Sequence, residues 1–178
     1  MTDISIRRAT TGDAAALAVV GRETFAETFG HLYPPQDLAG FLDAAHSPAH
    51  YADMAADPAF ALWIAEADGR VVGYVEAGKC LIRHPEVTPD CGELQRLYVR
   101  REAQGDGLGV RLLETALGWL ERPGRRLWIG CWSENLGAQR LYGRYGFSKV
   151  GEYEFSVGDT RDLEFILARP VPGAALRR

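Results

Sequence analysis

Residues 97–113 read LYVRREAQGDGLGVRLL, and this stretch decides the fold class. An apolar run at 97–99 is followed by three glycines within five residues, Gly105, Gly107 and Gly109, and then by a helical pattern of apolar residues through about Glu121. Glycines let a ligand approach the backbone, and the first amides of a helix have no partner inside it. The stretch therefore predicts a helix N-terminus that binds an anion, most naturally a phosphate or pyrophosphate.

Three types of phosphate site can be compared with this loop. A P-loop needs Lys and then Ser or Thr after the last glycine, but Val110 and Arg111 follow here. A dinucleotide fingerprint needs a different glycine spacing and an acidic residue on the next strand, and RLWIGCW ends without one. A third pattern is Gln/Arg-x-x-Gly-x-Gly/Ala, in which x is any residue. Gln104, Gly107 and Gly109 match it. The alternative is a glycine-rich turn that only packs a helix on a strand.

The composition narrows the class of protein. The chain has 178 residues, 47% of them hydrophobic and 25% charged, which predicts one globular domain at 1–170 with a C-terminal tail at 171–178. A net charge of −4 argues against nucleic acid as the main partner. The three cysteines form no CxxC pair, so no metal site is expected. We find no signal-like or membrane-spanning apolar run, so we expect a cytoplasmic protein with no membrane partner.

The remaining segments give the order of elements. Alternating and helical patterns predict the order β-α-α-β-β-β-α-β-α-β-β. EADGR at 66–70 predicts a tight hairpin turn, because the Asp68-Gly69 pair tolerates positive φ angles. The fold class is α/β (α+β), with a mixed sheet covered by helices.

The glycine loop and a downstream segment together resemble a known family. LYVRREAQGDGLGVRLLETAL resembles the acetyl-CoA-binding segment of the GNAT superfamily of N-acetyltransferases, and WIGCWSENLGAQRLYGRYGF resembles the next strand and helix of that family. TFAETFG, ELQRLYV and EFSVGDTRDLEFIL are similar to the PaiA-type spermidine/spermine N-acetyltransferases. The resemblance implies a central, mostly antiparallel sheet of about seven strands flanked by about four helices, and a homodimer is a further expectation.

The resemblance also implies the cofactor, acetyl-CoA, and the residues that hold it. The strand at 97–99 would pair with the pantetheine arm, the amides at 104–109 would hold the pyrophosphate, and Asn135 would contact the arm. The predicted cofactor-binding residues are Leu97, Tyr98, Val99, Gln104, Gly105, Asp106, Gly107, Leu108, Gly109, Asn135 and Tyr142.

Acetyl transfer to an amine needs a base and an acid. A lysine-like amine has a pKa of about 10.4, so it must lose a proton before it attacks. Tyr142 matches the tyrosine that the family uses as general acid, although its spacing with Leu141 and Tyr145 also fits a core residue. Glu93 is the candidate base, and proton loss to water without a protein base is the alternative; Glu93 would then be an exposed salt-bridging carboxylate. By strand alternation we expect Glu93 to face the same side as Gln95, Leu97 and Val99.

The sequence defines the amine that accepts the acetyl group less closely than it defines the cofactor. The family resemblance predicts a small-molecule amine, with a polyamine as one candidate, bound by acidic and aromatic side chains. The candidate substrate-binding residues are Glu27, Phe29, Tyr33 and Glu76. Alternative functions are acetylation of a protein N-terminus, a lysine or another small amine, and a non-catalytic CoA-binding regulatory module.

Overall fold

The computed structural model describes residues 4–171, and its seven strands belong to one sheet. The sheet order is β1-β2-β3-β4-β5-β7-β6, and every neighbouring pair is antiparallel except β4 and β5. The predicted mixed, mostly antiparallel sheet is therefore confirmed. Of the tail predicted at 171–178, all but Val171 lies outside the described residues.

The element bounds follow the predicted order with one addition. The strands are β1 (Ile4–Arg8), β2 (Phe60–Ala67), β3 (Arg70–Lys79), β4 (Gly92–Val99), β5 (Leu127–Trp132), β6 (Ser148–Val157) and β7 (Thr160–Arg169). The helices are α1 (Ala14–Phe29), α2 (Pro35–Ala45), α3 (Pro48–Ala56), α4 (Leu108–Leu120) and α5 (Leu136–Arg144). Within residues 4–171, no helix is long and apolar enough to cross a membrane.

Helix α3 is the element that the sequence pattern did not predict. Pro48 begins it, and the Ser47 hydroxyl accepts the His50 N–H at 3.1 Å, which caps its first turn. Its segment, PAHYADMAA, buries only Tyr51 and therefore lacks the repeated apolar positions that identify an amphipathic helix. The predicted hairpin turn is present, with φ of 50° at Asp68 and 75° at Gly69.

Helices cover both faces of the sheet. We call the side covered by α4 and α5 the α4 face; its core contains Val75, Leu94 and Leu112. We call the other side, covered by α1, α2 and α3, the α1 face; its core contains Leu17, Ile64 and Tyr74.

Strands β4 and β5 diverge in the middle of the sheet. They pair in parallel only at 92–94 with 127–129, so the β5 side of residues 95–99 has no strand partner. The resulting opening connects the α4 face to the α1 face.

A bulge in β4 changes which side chains face the two sides of the sheet. Glu76 pairs with Arg96 and Ala77 pairs with Leu94, so Gln95 is an extra residue in β4. The prediction that Glu93 shares a side with Leu97 and Val99 is therefore wrong. Leu97 and Val99 pack on the α4 face, whereas Glu93 lies with Arg96 and Tyr98 on the α1 face, where they line one cavity.

Candidate functional site

The glycine loop forms one wall of a cleft at the N-terminus of α4. Gly107 is the N-cap residue before the helix, with φ of 76° and no side-chain cap, and the first helical hydrogen bond runs from the Arg111 N–H to the Gly107 carbonyl at 3.1 Å. The amides at 108–110 therefore have no partner within the helix. A cleft of about 450 Å³ lies beside them, between the loop and α5.

The glycines leave room for an anion. A Cβ at Gly105 or Gly107 would meet no protein atom within 4 Å, so a side chain there would extend into open space. Both residues have positive φ, 102° and 76°, which glycine adopts without strain. Free amides, a helix N-terminus and cleared space fit a pyrophosphate group.

Most of the predicted cofactor-binding residues lie around this cleft and the sheet opening. Gln104 folds back, and its Nε2 donates to the Val99 carbonyl at 2.9 Å. The Asn135 Oδ1 accepts the Ala138 N–H at 3.1 Å and so caps α5. Asp106 lines neither the cleft nor the larger cavity. The residues that line one or both are Leu97, Tyr98, Val99, Gln104, Gly105, Gly107, Leu108, Gly109, Asn135 and Tyr142.

A larger cavity of about 490 Å³ passes through the opening between β4 and β5 and widens on the α1 face. It shares Leu97, Val99, Gln104, Ala138 and Tyr142 with the cleft, so the two spaces adjoin. Nine of its lining residues are aromatic: Phe25, Phe29, Tyr33, Phe41, Tyr98, Trp132, Tyr142, Tyr153 and Phe155. Its ionisable carboxylates are Glu93 and Glu164.

Tyr142 lies where the cleft and the cavity meet. It is 7% exposed, packs against the α4 face of the sheet and contacts Phe147 edge-on. Burial raises the pKa of its phenol, and electrostatic interactions with the ionised forms of Cys131, Tyr98 and Glu164 raise that pKa further. The phenol is therefore protonated at neutral pH and can donate a proton to a group in the opening.

Glu93 is buried and lines the same cavity. Its Oε2 accepts the Leu81 N–H at 2.6 Å. Burial raises the pKa of Glu93 to about 7, although hydrogen bonds from the Leu81 and Ile82 amides and the Cys80 thiol lower it in part. Glu93 can therefore exchange a proton near neutral pH, and it also holds the loop that follows β3.

Replacing Glu93 with Gln should change how stability depends on pH. The folded-state pKa of about 7 exceeds the ordinary 4.5, so the folded protein loses stability as pH rises between these values. Gln imitates the protonated carboxyl, so Glu93→Gln should be more stable than the wild type at pH 8, by up to about 3 kcal/mol. The difference should vanish near pH 4.5. Urea unfolding at both pH values measures it, and a difference independent of pH would disprove the shift.

Glu164 is a candidate that the sequence reading missed. It lies on β7 opposite Trp132 and Tyr153, and it lines the cavity. Burial raises the pKa of Glu164 to about 7, and the charge of Asp162 adds to this effect. The segment DLEFIL reads as an ordinary alternating strand, so nothing in the sequence separates this carboxylate from a solvent-exposed one.

Two of the four predicted substrate-binding residues line the cavity, and the other two lie outside it. Phe29 and Tyr33 line the cavity, and the Tyr33 hydroxyl donates to Asp162 at 2.5 Å. Glu27 lies outside it, where its Oε2 accepts the Arg101 N–H at 3.2 Å. Glu76 also lies outside it, buried beside Arg96 at 3.6 Å. The carboxylates that line the cavity are therefore Glu93 and Glu164, and not the predicted Glu27 and Glu76.

Comparison with known proteins places this geometry in a family. The model of the Acetyltransferase (GNAT) family matches residues 23–147, which include the glycine loop, β4, β5 and α5. The chain belongs to the GNAT family. It is 32% identical to an uncharacterised N-acetyltransferase of Lactobacillus delbrueckii subsp. lactis over 174 residues, covering 95% of this chain and 98% of the relative.

Other GNAT proteins match over part of the chain or in fold. A protein of Bacillus subtilis subsp. natto named "Probable spermine N(1)-acetyltransferase" is 32% identical over 65 residues, covering 35% of this chain and 43% of that protein. The PaiA N-acetyltransferase of Thermoplasma acidophilum, solved in complex with coenzyme A, superposes with a TM-score of 0.73 at 20% identity, covering 94% of this chain and 99% of that one.

Family membership identifies the reaction. This GNAT protein is an acyltransferase, an acetyl-CoA-dependent N-acetyltransferase. Among residues 4–171, no group of three or more His, Cys, Asp or Glu side chains is arranged to hold a metal ion.

Proposed function

We propose that this GNAT protein acetylates the primary amine of a small molecule that lies in the aromatic cavity, with Tyr142 as general acid. The observation that carries the proposal is the continuous space through the sheet. A glycine-lined cleft lies on the α4 face, the aromatic cavity lies on the α1 face, and Tyr142 lines both. An amine on one side could thus reach a group held on the other.

Acetyl-CoA supplies an activated acetyl thioester when it is bound. We assign its pyrophosphate to the glycine loop at 104–109 and the free first amides of α4, and its pantetheine arm to the edge of β4 at 97–99 that has no strand partner. We assign the polarisation of the thioester carbonyl to an amide near Val99.

The residues of the opening would move the protons. The Tyr142 hydroxyl would donate its proton to the departing sulfur, because its raised pKa keeps it protonated. The amine must also lose a proton before attack, and two carboxylates line the cavity, Glu93 and Glu164. The position of Glu93 at the start of β4 made it the candidate in the sequence, with water as the alternative.

The lining of the cavity favours a compact amine with an apolar or aromatic body. Nine aromatic residues supply apolar surface, and aromatic faces also attract cations. A polyamine is the second candidate, because Glu93 and Glu164 could each pair with an ammonium group and a partial relative is named for spermine.

An amine panel tests the proposal. Release of free thiol from acetyl-CoA should be stimulated by at least one of 2-phenylethylamine, benzylamine, spermidine, spermine or a short lysine-containing peptide. The aromatic lining predicts a higher kcat/KM for 2-phenylethylamine than for spermidine. The reverse order would favour the polyamine, and a preference for the peptide would place the substrate outside the small molecules. Tight binding of acetyl-CoA without stimulation by any amine would contradict an enzymatic function.

A further inference from the structure

Glu164 and Glu93 have different local surroundings although they line the same cavity. The Glu93 carboxylate is occupied by the loop after β3, through the hydrogen bond from the Leu81 N–H at 2.6 Å. A carboxylate held in this way fixes a loop, and moving a proton onto it weakens the bonds that it accepts.

The Glu164 carboxylate makes no hydrogen bond or ion pair with any residue in the described range 4–171, yet it is partly buried. It lies on the strand position that faces Trp132 of β5 and Tyr153 of β6, on the wall of the cavity. Its oxygens are not among the fully buried polar atoms, and the residue lines the cavity, so they are available to a group that enters it. A carboxylate in this position fits a positively charged or proton-donating group.

The two groups that would act on the reaction are also close enough to influence each other. The charge of Glu164 raises the pKa of Tyr142, and both residues line the cavity. An amine between them would have a proton acceptor on the α1 face and a proton donor towards the α4 face.

We propose that Glu164 is the proton acceptor for the attacking amine and that Glu93 is a positioning residue that holds the loop after β3. This inference rests on the proposed function of the cavity and selects between its two carboxylates. Glu164 would contact the amine directly, whereas Glu93 would act through the loop.

The protons balance in this assignment. The ammonium group carries three N–H protons and the product amide carries one, so two protons leave the nitrogen as the N–C bond forms and the C–S bond breaks. The first moves to a Glu164 carboxylate oxygen and from there to water. Tyr142 gives its hydroxyl proton to the departing sulfur and regains one from the nitrogen.

The groups around Glu164 determine the pH at which its carboxyl group ionises. Burial is the main cause of its raised pKa of about 7, and Asp162, which accepts the Tyr33 hydroxyl at 2.5 Å, is the second. The other ionisable groups that line the cavity with it are Tyr33, His46, Glu93, Arg96, Tyr98, Cys131, Tyr142 and Tyr153. Ionisation of Glu164 should therefore produce the acid limb of the pH–rate profile, with activity rising through about pH 7.

The test compares Glu164→Gln with Glu93→Gln and the wild type in the thiol-release assay, with the panel amine that the wild type uses best. Glu164→Gln should lower kcat by about 100-fold and remove the acid limb. Glu93→Gln should keep the acid limb. Asp162→Asn should move the limb to lower pH, because it removes a charge that raises the pKa of Glu164. Glu152→Gln, which changes an exposed carboxylate paired with Lys149 on β6, is the matched control with unchanged kinetics.

A pair of amines separates proton removal from a structural role. Fluorination of the carbon next to the aminomethyl group lowers the pKa of the amine. At a neutral pH at which 2-phenylethylamine is protonated, 2,2-difluoro-2-phenylethylamine is therefore largely unprotonated. The defect of Glu164→Gln should be smaller with the fluorinated amine. A kcat for Glu164→Gln within threefold of the wild type, or an acid limb that persists in it, would overturn the inference and leave the proposed function intact. A wild type that uses no amine of the panel would instead overturn the proposed function, and this inference with it.

Discussion

Gly107→Val is expected to lower the affinity for acetyl-CoA by at least about 100-fold. Gly107 is the N-cap residue of α4, with φ of 76°, and a Cβ there would meet no protein atom within 4 Å. A branched side chain would therefore extend into the cleft, where the free amides of the helix N-terminus are exposed, and would exclude the pyrophosphate. Isothermal titration with acetyl-CoA measures the effect.

A second valine variant controls for the strain that a left-handed backbone conformation imposes on valine. Valine at positive φ costs on the order of 1–3 kcal/mol wherever it occurs. Gly124 has nearly the same φ, 77°, and equally open surroundings, but it lies in the turn between α4 and β5, away from the cleft. Gly124→Val should therefore lose similar stability and keep its affinity for acetyl-CoA. Equal affinities in the two valine variants would contradict the assignment of the cleft.

Tyr142→Phe is expected to lower kcat by about 100-fold or more while the Kd for acetyl-CoA changes less than threefold. The ring of Tyr142 is buried against Phe147 and the sheet, and phenylalanine preserves this packing. Only the hydroxyl, protonated because burial raises its pKa, is removed from the opening. Steady-state kinetics and titration with acetyl-CoA separate the two effects.

Tyr145→Phe is the matched control for this substitution. Tyr145 follows the same helix, and its hydroxyl donates to Glu114 at 2.8 Å on the exposed side. Its loss should leave kcat within twofold of the wild type. A similarly unchanged kcat in Tyr142→Phe would exclude Tyr142 as the general acid.

Local patterns predicted every strand and helix of the described chain except α3, and they placed the glycine loop before α4. Three glycines between a strand and an apolar helical pattern predicted the start of α4, because each feature acts within a few residues. Asp68-Gly69 likewise predicted the turn between β2 and β3. Signals of this kind involve only residues that are neighbours in the sequence, so they can be recognised without knowledge of the tertiary structure.

The substrate side could not be predicted in the same way. The bulge at Gln95 arises from the pairing of β4 with β3, and a single extra residue reverses the side on which Glu93 lies. Glu164 comes close to Tyr142 only because β7 pairs with β5. Glu76 is buried by its contact with Arg96, which no spacing within the sequence indicates. These positions depend on pairs of residues far apart in the chain.

The most direct test of the account is to measure both products of one reaction. Wild-type protein is incubated with acetyl-CoA and the best amine of the panel, free thiol is quantified, and the acetylated amine is quantified by mass spectrometry. The account predicts one acetylated amine for each thiol released, with both products reduced together in Tyr142→Phe. Thiol release without an acetylated amine would contradict it.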